Sequence, residues 1–122
     1  MGLRLNPDLE AACIRLATTS VRAPAPRPMF GSEKEFQAWV IGYAKERGWR
    51  AYHTHDSRRS VAGFPDLVLV RNGILLVAEL KFADGKPSAE QRVWLDEFRR
   101  VSNALVFLWY ETDAAEIQEV LR

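Results

Sequence analysis

Cysteine is almost absent from this chain. Cys13 stands alone, so no disulfide can close within it, and the fold must rest on a hydrophobic core, as suits a reducing compartment. Long apolar runs are missing too, since none approaches the ~20 residues that a membrane helix needs. The first residues carry no apolar stretch of the signal-peptide kind. The expectation is a cytoplasmic, intracellular protein with no membrane partner. Charge of one sign is also lacking. Seventeen Lys and Arg against sixteen Asp and Glu leave a formal charge of +1, so the whole-chain balance does not mark a binder of polyanions. The distribution says more. Lys45, Arg47, Arg50, Arg58 and Arg59 share one region, whereas Glu111, Asp113, Glu116 and Glu119 crowd the other end. A basic face and an acidic end would orient the protein on phosphate, and a solvated mixed-charge surface explains the same residues.

What is present is enough for one core. A chain of 122 residues buries about two-thirds of its unfolded surface. Residues 1–31 read as an arm: a short helical pattern with Leu9, Cys13, Leu16 and Ala17 on one side, then Pro24, Pro26 and Pro28, which forbid helix. Residues 32–122 read as the folded domain. Ser32 and Glu35 form a capping box, opening a helix from Glu33 to about Arg47 that stops at Gly48. Trp49–His55 follows as a strand, then a polar loop to Phe64. Two apolar runs, Leu67–Val70 and Ile74–Ala78, flank Asn72-Gly73. Ser88 and Gln91 cap a second helix reaching about Val101, Ala104–Tyr110 is apolar throughout and is expected as a central strand, and Asp113 to Leu121 closes with a short helix. A helix between two strands favours a parallel crossover, so the sheet should be mixed, with helices on both faces.

The Asn-Gly turn fixes more than a hairpin. A type I′ turn puts Arg71 opposite Ile74 and, counting outward, Asp66 opposite Glu79. Two carboxylates then face each other with Cβ atoms about 5 Å apart, which destabilises a sheet unless something compensates. A divalent cation with oxygen ligands does so, and the backbone carbonyl of Leu80 would supply a third oxygen. Lys81 points to the same face as Glu79.

Pro65-Asp66, twelve intervening residues, then Glu79-Leu80-Lys81 resembles the PD-(D/E)xK nuclease signature. Gly63-Phe64-Pro65-Asp66-Leu67-Val68, with Gln91 downstream, resembles its VRR-NUC branch, whose small phage and bacterial members are similar to Holliday-junction resolvases. The resemblance implies a restriction-endonuclease-like α/β fold in the order α-β-β-β-α-β-α. It implies a metal-dependent endonuclease that hydrolyses DNA phosphodiesters, duplex or branched. Mg²⁺ is the expected cofactor, Mn²⁺ its substitute, and no small-molecule cofactor is expected. A homodimer is implied, since cutting two strands takes two sites. Asp66, Glu79 and Glu33 would bind metal, and Lys81 would sit by the attacking water. The family pattern also places one acidic residue on the first helix. Helical spacing selects Glu33, which shares a stripe with Phe36, Gln37, Val40 and Ala44, over Glu35, which serves the cap.

Around this centre, Gln91 and Gln37 would support the site, although the capping box alone explains Gln91. Ser57, Arg58 and Arg59 are natural phosphate contacts, and Gly63 would allow close approach of DNA. His53 suits DNA contact or plain burial. With His55 it forms a His-x-His zinc half-site, but a closed site would also need carboxylates. Trp39, Trp94 and Trp109 are assigned to packing. Two rival readings stay open, a DNA-binding module that does not cleave and a protein-interaction domain.

Overall fold

The computed structural model of the chain describes residues 29–54 and 61–122. The expected N-terminal helix, the proline-rich linker and the loop carrying His55, Ser57, Arg58 and Arg59 lie outside the described residues.

Helix α1 runs Glu33–Glu46 and starts where Ser32 Oγ accepts the Glu35 amide at 3.2 Å. The capping box is shifted by one residue. The Glu35 carboxylate takes the Gly31 amide at 2.6 Å rather than that of Ser32. Phe36, Val40 and Ala44 form its buried stripe. Its end is a Schellman motif: the Trp49 amide reaches the Ala44 carbonyl and the Gly48 amide the Lys45 carbonyl, with Gly48 at φ +86°.

Strand β1 (Arg50–His53) is shorter than the sequence pattern suggests. Thr54, next in register after His53, still gives its amide to the Asp66 carbonyl at 2.9 Å, and its hydroxyl adds a bond to the Pro65 carbonyl at 3.1 Å. Strands β2 (Leu67–Arg71) and β3 (Ile74–Lys81) form the expected hairpin, with Asn72 at φ 51° and Gly73 at φ 78°. The register is the one that turn dictates, from Arg71 opposite Ile74 to Leu67 opposite Ala78. Helix α2 (Ala89–Arg99) then leads to β4 (Ala104–Tyr110), a 3-10 turn (Glu111–Asp113) and helix α3 (Ala114–Leu121). Asp113 caps the turn, accepting the Tyr110 amide at 2.8 Å.

The sheet order is β1-β2-β3-β4, antiparallel across the first three strands and parallel between β3 and β4. Helices α1 and α3 lie on one face over Leu67, Leu69, Ile74, Leu76, Ala78 and Leu80, with Trp109 sealing the core. Helix α2 lies on the other face across β3 and β4, burying Leu95. The fold is thus α/β and restriction-endonuclease-like, with helices on both faces. Strand β4 is an edge among the described residues, not a central strand, and Ala104 to Leu108 are half-buried. Its apolar run reflects cover on both faces, which is a different condition from neighbours on both edges.

Arg71 ties the helix ends together. Its guanidinium donates to the carbonyls of Arg47 at 2.8 Å, Leu121 at 3.2 Å and Arg122 at 3.1 Å, and lies 4.3 Å from the centre of the Trp49 ring. Trp49 Nε1 donates to the Leu121 carbonyl at 2.9 Å as well. One cation therefore meets the negative ends of α1 and α3 together. Arg71→Met should lower unfolding free energy by roughly 2 kcal/mol in a urea titration, the scale of hydrogen bonds to a charged group. Arg71→Lys should recover only part of it, because one ammonium cannot span three carbonyls.

Candidate active site

The site forms where the hairpin ladder stops. Pairs that exchange two hydrogen bonds alternate along the hairpin, so after Leu67 and Ala78 the next such pair would be Pro65 and Leu80. Proline has no amide hydrogen to give, so that rung cannot close. The Pro65 carbonyl turns instead to Thr54, and the Leu80 amide donates to Asp66 Oδ2 at 3.0 Å. The register leaves the Leu80 carbonyl without the strand partner that any residue but proline would provide. Asp66 is thereby brought beside Glu79, as the turn geometry requires.

Glu79 is fully buried on the α2 side of the sheet. Gln91 Nε2 donates to its Oε1 at 3.3 Å. The capping box settles the orientation of that amide: Gln91 Oε1 accepts the Ser88 amide at 2.7 Å, so its nitrogen must face Glu79. The structural and functional readings of Gln91 therefore both hold as geometry. Lys81 Nζ lies 4.0 Å from Glu79 Oε1, with its side chain only 17% exposed. Burial pushes the Glu79 carboxyl up from 4.5 to about 9, helped by the Asp66 side chain as hydrogen-bond partner and as charge and by Glu33, while Lys81 pulls it down. No donor among the described residues reaches the buried Glu79 Oε2. An acceptor in that position is satisfied by a proton or by a cation.

The other residues singled out by the sequence lie at varying distance from this pair. Glu33 is exposed at the start of α1, and its charge is felt at Glu79 from longer range than that of Asp66. Gln37, one turn on, is half-buried. His53 is opposite Leu67, on the α1 side of the sheet, and is half-buried there. The close approach that Gly63 makes is to α2, at Glu90 and Gln91. Arg47 is engaged locally, its guanidinium 3.3 Å from the centre of the Tyr43 ring and 3.6 Å from Glu46. Trp109 is wholly buried, and Trp39 packs against Phe30 and Tyr43.

Two supports had no signal in the sequence. Thr54 holds the backbone of Pro65 and Asp66 through both its amide and its hydroxyl. The loop after Lys81 is pinned by the Tyr110 hydroxyl on the Gly85 carbonyl at 2.8 Å and by Glu111 on the Ala83 amide at 3.0 Å. Neither contact follows from residue spacing, because each joins segments far apart in the chain.

The donor set suits a hard cation. Two carboxylates and a backbone carbonyl are the ligands with which proteins hold Mg²⁺, the remaining positions being filled by water. Among the described residues no three His, Cys, Asp or Glu side chains form a metal-holding group, so Glu33 does not close a three-carboxylate set with Asp66 and Glu79.

The buried carboxyl makes stability depend on pH. Between 4.5 and about 9 the folded state keeps a proton that the unfolded state has released, so stability falls as pH rises through that window. In the apo protein, Glu79→Gln should flatten this part of the profile and raise stability at neutral pH. Denaturant titrations of both proteins at pH 5, 7 and 9 check it, and parallel profiles would contradict a proton held on Glu79.

No helix among the described residues is long and apolar enough to cross a membrane. No curated protein matches the chain. The sequence model of the VRR-NUC domain matches residues 7–109, beginning inside the segment that reads as an arm. That span is most of the chain and contains the hairpin, Gln91 and all but the last residue of β4, so the protein belongs to the VRR-NUC family, nuclease domains of the PD-(D/E)xK superfamily.

Proposed function

We propose that this nuclease domain is a metal-dependent endonuclease that hydrolyses DNA phosphodiesters, with selectivity for branched or junction DNA as the finer expectation. The observation that carries the reading is the fully buried Glu79 beside the half-buried Asp66, with Lys81 Nζ 4.0 Å from Glu79 Oε1 and no donor to Glu79 Oε2 among the described residues. Asp66, Glu79 and the Leu80 carbonyl would hold Mg²⁺, or Mn²⁺ in its place, and Glu33 would add negative charge at the mouth. A bound divalent ion neutralises the phosphate, activates water and assists the leaving oxygen. A cation held there would take the place of the proton that burial keeps on Glu79. Lys81, held close by Glu79, places a compact positive charge where the phosphate and the attacking water meet. Gln91 keeps Glu79 in one rotamer through that exchange. Ser57, Arg58, Arg59 and His53 are the proposed contacts to DNA. Two active sites are needed to cut both strands, so a C2 homodimer is the proposed working unit.

Plasmid and four-way-junction DNA incubated with Mg²⁺, Mn²⁺ or EDTA test the reading directly. Cleavage should require the metal, and Asp66→Asn or Glu79→Gln should abolish it in proteins that remain folded. Cleavage in EDTA would sink the metal mechanism, and junction binding without any cleavage would favour a non-cleaving module.

The two glutamates of α1 make a sharper test. Glu33→Gln should slow cleavage by about tenfold or more, the scale of a lost supporting carboxylate. Glu35→Gln should be nearly silent, because glutamine can also accept the Gly31 amide that Glu35 holds at 2.6 Å. The reverse pattern in initial rates would reassign the helix carboxylate to Glu35.

A further inference from the structure

Residues 61–65 do more than lead into β2. Gly63 sits at φ +82°, pressed on the first turn of α2, and a Cβ there would lie 2.5 Å from the Glu90 carbonyl carbon, 2.7 Å from Glu90 Cβ and 2.8 Å from the Gln91 nitrogen. Two of those three atoms are backbone, so no side-chain rotation relieves the overlap. A turn alone would need only the positive φ, whereas this contact also demands the missing side chain. Its neighbours hold the same helix. The Ala62 carbonyl accepts a hydrogen bond from Trp94 Nε1 at 3.1 Å. Phe64 sets its ring edge-on to Trp94 at 5.0 Å and to Phe98 at 6.1 Å. Three consecutive residues thus grip one face of α2.

Both arms of the site begin at this contact. Three residues after Gly63, Asp66 Oδ2 accepts the Leu80 amide at 3.0 Å. Immediately beside the contact, Gln91 donates to Glu79 Oε1 at 3.3 Å. Glu79 and Leu80 are consecutive on β3, so the two arms close on one point of the strand from two different elements. A shift of the loop against α2 would move one arm relative to the other and alter the spacing of the two carboxylates.

We propose that the Gly63 seat on α2, locked by Trp94 and Phe64, is a positioning device that sets the separation of Asp66 and Glu79 and so tunes the affinity of the pair for a divalent cation. The cation half rests on the reading given under Proposed function. The mechanical half, the hold of Asp66 on the Leu80 amide, stands without it.

The test uses the full chain, ¹⁵N-labelled, with amide exchange by NMR and Mn²⁺ titration by electron paramagnetic resonance. Gly63→Ala should leave the Leu76 amide protected within the hairpin ladder, speed exchange at Leu80, and weaken Mn²⁺ binding about tenfold or more. Trp94→Phe, which loses only the bond to Ala62, should move both readouts the same way by less. Gly42→Ala, whose Cβ would meet nothing within 4 Å, should move neither. A folded Gly63→Ala protein with Leu80 exchange and Mn²⁺ affinity at parental values overturns the proposal. If Gly63→Ala does not fold, Trp94→Phe decides by the same Leu80 readout, and parental exchange there overturns it too. A parent that binds no Mn²⁺ refutes the cation reading separately, while the Leu80 amide continues to test the latch.

Discussion

The carboxylate of Asp66 accepts the Leu80 amide at 3.0 Å in the place where the next rung of the β2–β3 ladder would stand. That substitution of a side chain for a strand has its cause in Pro65, which has no amide hydrogen and cannot continue the pairing. The remaining geometry follows from it. The Pro65 carbonyl is released to the Thr54 hydroxyl, beside the regular bond from the Thr54 amide to the Asp66 carbonyl. Asp66 is drawn beside Glu79, which is fully buried, so a pair of carboxyl groups sits where the sheet would otherwise be closing its hydrogen bonds. Burial then dominates the titration of Glu79 and keeps it protonated well above the usual carboxylate range.

A buried carboxyl with a raised pKa costs stability at neutral pH, and the rest of the domain offsets that cost away from the site. Phe36, Val40, Leu69, Leu76, Trp109 and Ile117 make a dry core on the opposite face of the sheet. Arg71 fastens the ends of α1 and α3 at the far end of the hairpin, beside its turn. The strained chemistry and the fastening are thus at opposite ends of the same two strands. Function and stability are separated in space, so the site residues can be changed without removing what holds the fold.

Much of this was legible in the sequence because it depends on local rules. Asn72-Gly73 has one comfortable hairpin geometry, and a two-residue loop leaves no freedom in register. The pairing of Asp66 with Glu79 is therefore a matter of counting. Gly48, Ser32 and Ser88 likewise mark helix ends through bonds that span only a few residues. Gln91 shows the limit of such counting. Spacing offered the cap and the site as rivals, yet one side chain has two ends, and the cap holds the oxygen while the nitrogen reaches Glu79.

Other features required the folded chain. The apolar run of β4 suggested a central strand, but it is an edge, because hydrophobicity records what lies above and below a strand and not what lies beside it. Thr54, Tyr110 and Trp94 act on the site across gaps of 11 to 32 residues, and no periodicity relates such partners. Gly63 is the clearest case. In the sequence a glycine before Pro-Asp reads as a turn or an approach to DNA, and only the packed helix reveals that its missing Cβ is space taken by the backbone of α2. The sequence by itself determined the hairpin, its register and the carboxylate pair, since each follows from the chemistry of neighbouring residues. The tertiary structure alone decided which distant groups hold that pair in place, since those contacts exist only once α2 and the strands have packed.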